Sequence, residues 1–186
     1  MKSRNHGAWK ALREFVQVNA AELAAVEKLP STQRGSSRLL VGRHEWIGLP
    51  EFTPLPWVAK TDTGARTSTL HATNVAIDPH SQMVHFQTCD SHGNNISCRA
   101  PLSRTKTIRN SAGIAEHRAV IITETVFAGG LRFFIELTLS DRSHMKCPVL
   151  LGRRALSGYF LVDPQSDYLL GDLDDFLSSI SPNKKS

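Results

Sequence analysis

A chain of 186 residues, 40% of them hydrophobic, can fill the core of one domain with an appendage, and no apolar run approaches the ~20 residues that a membrane-spanning helix needs. Lysine and arginine number 22 against 17 aspartate and glutamate, a formal charge of +5, which suits an acidic partner such as a carboxylate-rich peptide. No recognition helix, zinc finger or aromatic sheet motif accompanies that charge, so neither nucleic acid nor a membrane is an expected partner.

Residues 8–28, "AWKALREFVQVNAAELAAVEK", carry Trp9, Leu12, Phe15, Leu23 and Val26 at roughly helical spacing, and Pro30 ends the pattern. The pattern predicts an extra N-terminal helix, with a polar linker completing a segment over 1–38. From Leu39 the character turns to β. "LLVGRHEWIGL" and "PWVAKTD" read as strands, the second ending at Asp62. "STLHATNVAID" alternates, and "MVHFQTC" and "NISCRA" flank the turn "DSHGNN". "HRAVIITETVFAGGLRFFIELTLSD" predicts two long strands joined at Gly129-Gly130. "KCPVLLG" is a further strand, "RRALSGY" one or two helical turns, and "YFLVDP" with "DYLLGD" a last hairpin around Pro164. Many short strands with almost no helix predict an all-β domain over 39–173, a small closed barrel, followed by a flexible tail over 174–186. Cys89, Cys98 and Cys147 form an odd set, which argues against a disulfide framework. With no secretory h-region near the N-terminus, the expected location is cytoplasmic.

Asp62, Thr63 and Gly64 stand at the end of a predicted strand. Alone, that triplet is a common turn. Its chemical use is specific: loop amides can donate to the Asp62 carboxylate, the Thr63 hydroxyl can bond to backbone, and Gly64 permits the tight turn. The later segment "PVLLGRRAL" places Leu150, Leu151 and Gly152 before a short helix. Alone it is an ordinary buried strand end; in order behind D-T-G on an all-β chain it is much more specific.

The segments "VGRHEWIGLPEF", "KTDTGARTSTLHA", "IRNSAGIAEHR", "IELTLSDRSHMKCPVLLGRRAL" and "FLVDP" together resemble a bacterial family of retropepsin-like fold. The family is named for ATP-dependent zinc proteases and is linked to RimK-type ATP-grasp ligases. The resemblance runs from about Leu39 to Gly171. It implies an acid-protease barrel and an aspartic peptidase, with Asp62, Thr63 and Gly64 catalytic and Leu150, Leu151 and Gly152 supporting the loop from beneath. One D-T-G in a chain without repeats implies that a homodimer supplies the second carboxylate. A lid is implied over 103–117, with Gly113 as pivot. The link to glutamate-adding ligases implies a peptide or protein substrate that is glutamate-rich or ligase-modified. Arg66 and Arg109, with Arg104 and Lys106, suit its carboxylates.

The residues do not support the zinc and ATP of the family name. There is no phosphate-cradling G-x-x-x-x-G-K-[ST] loop and no H-E-x-x-H helix. Of the metal candidates His80, His85, Cys89, His92 and Cys98, Cys89 and His92 have a ligand-like gap, but His85 and Cys89 lie on a predicted strand at a spacing unlike a zinc knuckle. No cofactor or metal is therefore expected. Two alternatives stay open: a non-catalytic peptide- or protein-binding module in which Asp62 only shapes its loop, and the zinc hydrolase of the family name.

Overall fold

The computed structural model describes residues 38–109 and 115–180. The predicted helix over 8–28 lies outside the described residues. The strands are β1 (Leu39–Val41), β2 (His44–Gly48), β3 (Trp57–Asp62), β4 (Ser68–His71), β5 (Thr73–Asp78) and β6 (Met83–Cys89). They continue with β7 (Asn95–Pro101), β8 (Arg104–Arg109), β9 (Ala115–Phe127), β10 (Arg132–Ser140), β11 (Val149–Gly152) and β12 (Phe160–Val162). Two helices, α1 (Arg153–Leu156) and α2 (Leu173–Ile180), complete the described chain.

The largest sheet runs β10-β4-β11-β3-β2-β9-β8. Its length-13 strand β9 has a partner on each edge: Val120 pairs with both Thr138 and Arg104, and Val126 with both Arg132 and Gly48. Pairing of β9 with β10 joins six strands into a ring and leaves β8 as an outer arm. The expectation of a mostly β chain of retropepsin type is met. Period-two alternation decides which side chains fill the ring. In β3, Trp57, Ala59 and Thr61 point inward and are buried, while Val58, Lys60 and Asp62 take the opposite phase. Ile47, Leu70, Ile121, Leu137, Val149 and Leu151 meet them in one core, where each large side chain removed from water contributes about 1.5–3 kcal/mol. The three-stranded sheet β5-β6-β7 adds Val84, Phe86 and Ala100 to that core. Trp57 crosses between the layers and donates its indole N–H to the Cys89 carbonyl at 2.6 Å.

Three local expectations are corrected. The segment "LLVGRHEWIGL" is two strands, β1 and β2, separated at Gly42 and Arg43, whose amides donate to the Glu45 carboxylate and to the Ser166 carbonyl. No hairpin forms around Pro164: β12 pairs in parallel with β1, Leu40 opposite Leu161. The following "DYLLGD" is not a strand, and its Leu169 and Leu170 amides donate to the buried carboxylate of Glu45 at 3.0 and 3.3 Å. Third, the tail from Asp174 is not frayed through Ile180 but forms most of α2. Asp172 and Asp175 cap its start reciprocally, each side chain accepting the other's amide, and Phe176 is fully buried beside Val126 and Ala128. Residues 181–186 lie outside the described residues.

The segment expected as a lid is, where described, paired structure. Arg104 to Arg109 of β8 align antiparallel with Ala115 to Val120 of β9, so the segment is a hairpin arm. The pivot Gly113 lies outside the described residues.

Candidate active site

The alternation of β3 ends by presenting Asp62 at the rim of the ring, one residue beyond buried Thr61. Thr61 fixes that rim: its amide donates to the Arg43 carbonyl at 2.9 Å and its hydroxyl to the Gly42 carbonyl at 2.9 Å. The chain then turns, and the amides of Gly64 and Ala65 both donate to Oδ1 of Asp62, at 2.9 and 3.0 Å. Oδ2 makes no hydrogen bond among the described residues, so one carboxylate oxygen is anchored and the other is unengaged.

Two features of the loop differ from expectation. Gly64 is not needed for a left-handed turn, since it is not among the residues of positive φ; a Cβ there would sit 3.1 Å from Oδ1 of Asp62. Its service is to leave room for the carboxylate. Thr63 is exposed, and its hydroxyl has no bonded partner among the described residues. Another side chain locks the loop instead. Arg153 donates from one guanidinium nitrogen to the carbonyls of Thr63 at 3.0 Å and Gly64 at 2.8 Å.

The segment Leu150, Leu151, Gly152 runs where the sequence places it. β11 lies parallel to β3 with Leu150 opposite Lys60, Leu151 opposite Thr61 and Gly152 opposite Asp62. Leu151 and Gly152 are buried, and Leu150 is half-buried. Gly152 is required by crowding: a Cβ there would lie 2.6 Å from both C and O of Thr67. Its amide donates to Oγ of Ser68, and the next two amides, of Arg153 and Arg154, donate to the carbonyls of Ala65 and Arg66 at 2.8 and 3.1 Å. The D-T-G loop is thus held from its carboxylate inward and from its carbonyls outward.

Cations gather beside this loop. Arg104 on β8 and Arg154 on α1 converge on the carboxylate of Glu136 on β10; Arg104 engages both of its oxygens, and Arg154 donates at 2.8 Å. Those two arginines hold the Glu136 carboxyl below its usual range even though burial opposes ionisation. Lys106, two residues along β8, reaches Oγ1 of Thr67 at 3.3 Å. Burial, and then the charges of Arg104, Arg154 and Arg66, push its ammonium below the usual lysine range. Arg142 lies close enough to Asp62 to feel its carboxylate, although burial pulls the guanidinium down more strongly.

Of the four cations expected to suit carboxylates, three therefore stand near the loop: Arg66, exposed; Arg104, committed to Glu136; and Lys106. Arg109 closes β8, and its side chain lies outside what is described. Sequence reasoning missed Glu136, Arg142 and Arg154. The one available signal for Glu136 is an isolated acid inside the apolar strand "RFFIELTLS". As for metal, no group of three or more His, Cys, Asp or Glu is arranged to hold an ion among the described residues. In the β6–β7 register Cys98 opposes Phe86 while His85 opposes Arg99, which sends these two candidate ligands to opposite faces. These side chains do not fit a zinc site.

A family model described as "RimB-like: Retropepsin-like aspartic endopeptidase RimB" matches residues 40–171. The chain is 36% identical over 141 residues to a "Probable alpha-L-glutamate ligase" of Parasynechococcus marenigrum (strain WH8102), covering 73% of this chain and 30% of that protein. It is 31% identical over 144 residues to a protein of the same name from Shewanella pealeana, covering 75% and 31%. The chain thus spans under a third of the length of these curated relatives. Among solved structures it resembles Lpg0085, a Legionella pneumophila protein of unknown function, with a TM-score of 0.59 and 25% identity over 72% of this chain and 99% of that one.

Proposed function

The chain belongs to the RimB-like family of retropepsin-like aspartic endopeptidases, and from that premise we propose that it is an aspartic-type peptidase whose working carboxylate is Asp62. The observation that carries the reading is the carboxylate itself, with Oδ1 fixed by two loop amides and Oδ2 unengaged. In the proposed reaction, Oδ2 of Asp62 accepts a proton from a water molecule as the water oxygen attacks the scissile carbonyl carbon. A second, protonated carboxylate donates to the carbonyl oxygen, giving the tetrahedral intermediate. That proton then returns and the amine leaves with the one taken from water. One chain supplies one D-T-G, so the second carboxylate is the partner's Asp62, brought opposite by twofold symmetry in a homodimer.

The substrate class we propose is a peptide or protein chain rich in glutamate or modified by a ligase. It is supported by the cations beside the loop and by the ligase names of relatives that share this region. The test is Asp62→Asn, which keeps the shape and both amide bonds but removes the base. Purified wild-type protein should shorten glutamate-extended peptides by mass spectrometry, and Asp62→Asn, equally folded by circular dichroism, should not. Undiminished cleavage by the variant rules out the aspartic mechanism.

A further inference from the structure

The cations beside the D-T-G loop outnumber the acid that serves them. The charges of Arg104, Arg154 and Arg66 all act on Lys106, and the carboxylate among them is Glu136, which Arg104 and Arg154 engage directly. Arg104 and Arg154 spend themselves on Glu136. Arg66 and Lys106 form no ion pair among the described residues, and the Lys106 ammonium donates to the neutral hydroxyl of Thr67 at 3.3 Å. The β8–β9 register sets Lys106 opposite Arg118, which offers it no counter-charge. Arg118 itself is paired with Glu116 at 2.7 Å. A half-buried ammonium held among three guanidinium groups, with the Glu136 carboxylate already engaged by two of them as its counter-charge, is an arrangement that an incoming anion stabilises.

The position of this cluster gives the anion its place. Thr67 is the last residue of the loop that begins at Asp62, and its backbone packs on Gly152, which lies opposite Asp62 in the β3–β11 pair. Lys106 therefore touches the far end of the same short loop whose near end carries the carboxylate.

We propose that Lys106, flanked by Arg66 and Arg154, forms a carboxylate-binding subsite that takes an acidic side chain of the peptide next to the bond presented to Asp62. Glu136 holds Arg104 and Arg154 at its rim. The inference deepens the peptidase reading and rests on it for the subsite's role in catalysis, but its binding chemistry stands apart from hydrolysis. Arg66 and Lys106 then act as specificity-determining residues: they move affinity for acidic peptides and not the handling of neutral ones.

The test uses the full chain carrying Asp62→Asn, so that binding is read without cleavage, and two fluorescein-labelled peptides of equal length, one of glutamates and one of glutamines. Anisotropy should show the glutamate peptide bound more tightly. Adding Lys106→Met should weaken it by about tenfold, the scale of one charge-assisted hydrogen bond, and change the glutamine peptide by less than about twofold. Lys106→Arg should restore most of the loss. If Lys106→Met does not fold by circular dichroism, Arg66→Gln, at an exposed position, should give a smaller loss of the same selectivity. Equal affinity of the two peptides, or an equal loss for both in the variants, overturns the subsite. Hydrolysis by the wild-type chain is scored separately: charge-selective binding without cleavage of either peptide sinks the peptidase reading and leaves the subsite standing, whereas cleavage of both peptides with equal kcat/KM sinks the subsite alone.

Discussion

Gly152→Ala is the most economical test of how the loop is supported, because its cost follows from distances. The added methyl would lie 2.6 Å from C and O of Thr67, where ordinary contact begins at 3.4 Å, so roughly 0.8 Å must be found. The obstacle is backbone and cannot rotate away. Nor can β11 slide freely, since Gly152 is registered against Asp62 and the following amides are bonded to Ala65 and Arg66. Overpacking of this kind costs about 1–3 kcal/mol. For a domain of this size that is a fall in Tm of roughly 2–12 °C. The same displacement moves the Asp62 loop, and a misplacement near 1 Å can cost about 10²-fold in kcat. Gly64→Ala is the informative contrast. Its Cβ would meet only Oδ1 of Asp62, at 3.1 Å, a side-chain atom that can yield. It should lower kcat while leaving Tm within a degree or two of wild type. Thermal unfolding followed by circular dichroism, with peptide cleavage measured on the same samples, checks both. A Gly152→Ala protein with wild-type Tm would refute the crowding argument whatever its activity.

Three further outcomes are expected. Glu45→Gln should destabilise by about 1–3 kcal/mol, because an amide nitrogen then faces the Leu170 or Leu169 donor in place of a carboxylate oxygen. Burial raises the Glu45 pKa above 4.5, so the native state holds its proton longer than the unfolded chain. Wild-type stability should therefore decline as pH rises from 4.5 through that raised value, a slope missing from denaturant titrations of the variant. Glu136 has the opposite sign: its pKa is lowered from 4.5, so its contribution is present above pH 4.5 and is lost as pH falls through the folded value. Glu136→Gln should cost about 1–3 kcal/mol at pH 7, and the difference from wild type should shrink below pH 4.5 in the same titrations. For the proposed dyad, sedimentation velocity should show a dimer wherever peptide is cleaved, and an active protein that stays monomeric at every concentration contradicts a shared pair of Asp62 side chains.

The parts of the fold legible in the sequence are those encoded over short distances. The run of β-branched and aromatic residues around Gly129-Gly130 predicts β9 and β10, and Gly129 does take the positive φ of 78° that the turn demands. D-T-G and L-L-G were legible as an ordered pair, and the parallel register of β3 and β11 brings them side by side. What escaped depends on partners far along the chain. β1 and β12 are each three residues long and become strands only through each other, 121 positions apart in the pairing of Leu39 with Phe160. β8, "RTKTIR", reads as a polar loop because five of its six residues are polar. The cap residues Asp172 and Asp175 were a readable start for α2, but the burial of Phe176 that makes the helix worth forming depends on Val126 and Ala128. Glu136 belongs with these: its arginines come from 32 positions before it and 18 after it.

The exposure of the loop bears on how the proposed reaction could run. Thr63, Gly64 and Arg66 are exposed, and the guanidinium that clamps the loop lies at the same surface. In that setting water screens charges strongly, which weakens the coupling between groups on which a shared proton depends. Electrostatic catalysis of amide hydrolysis needs the opposite, a site from which bulk water is excluded. The ring cannot provide it, because its apolar residues are turned inward and Asp62 stands on the outward phase of β3. Exclusion must therefore come from above the loop. Two covers would serve the proposed reaction: the β8–β9 arm, whose Lys106 touches Thr67, and the second copy of the chain that the proposed dimer calls for. The arm alone would surround Asp62 with cations, which favours two permanently ionised acids over a shared proton. The second copy alone brings like charges together, which favours sharing. A working dyad needs both, with the arm's cations occupied by the carboxylates of the substrate at the moment the two Asp62 side chains must hold one proton between them.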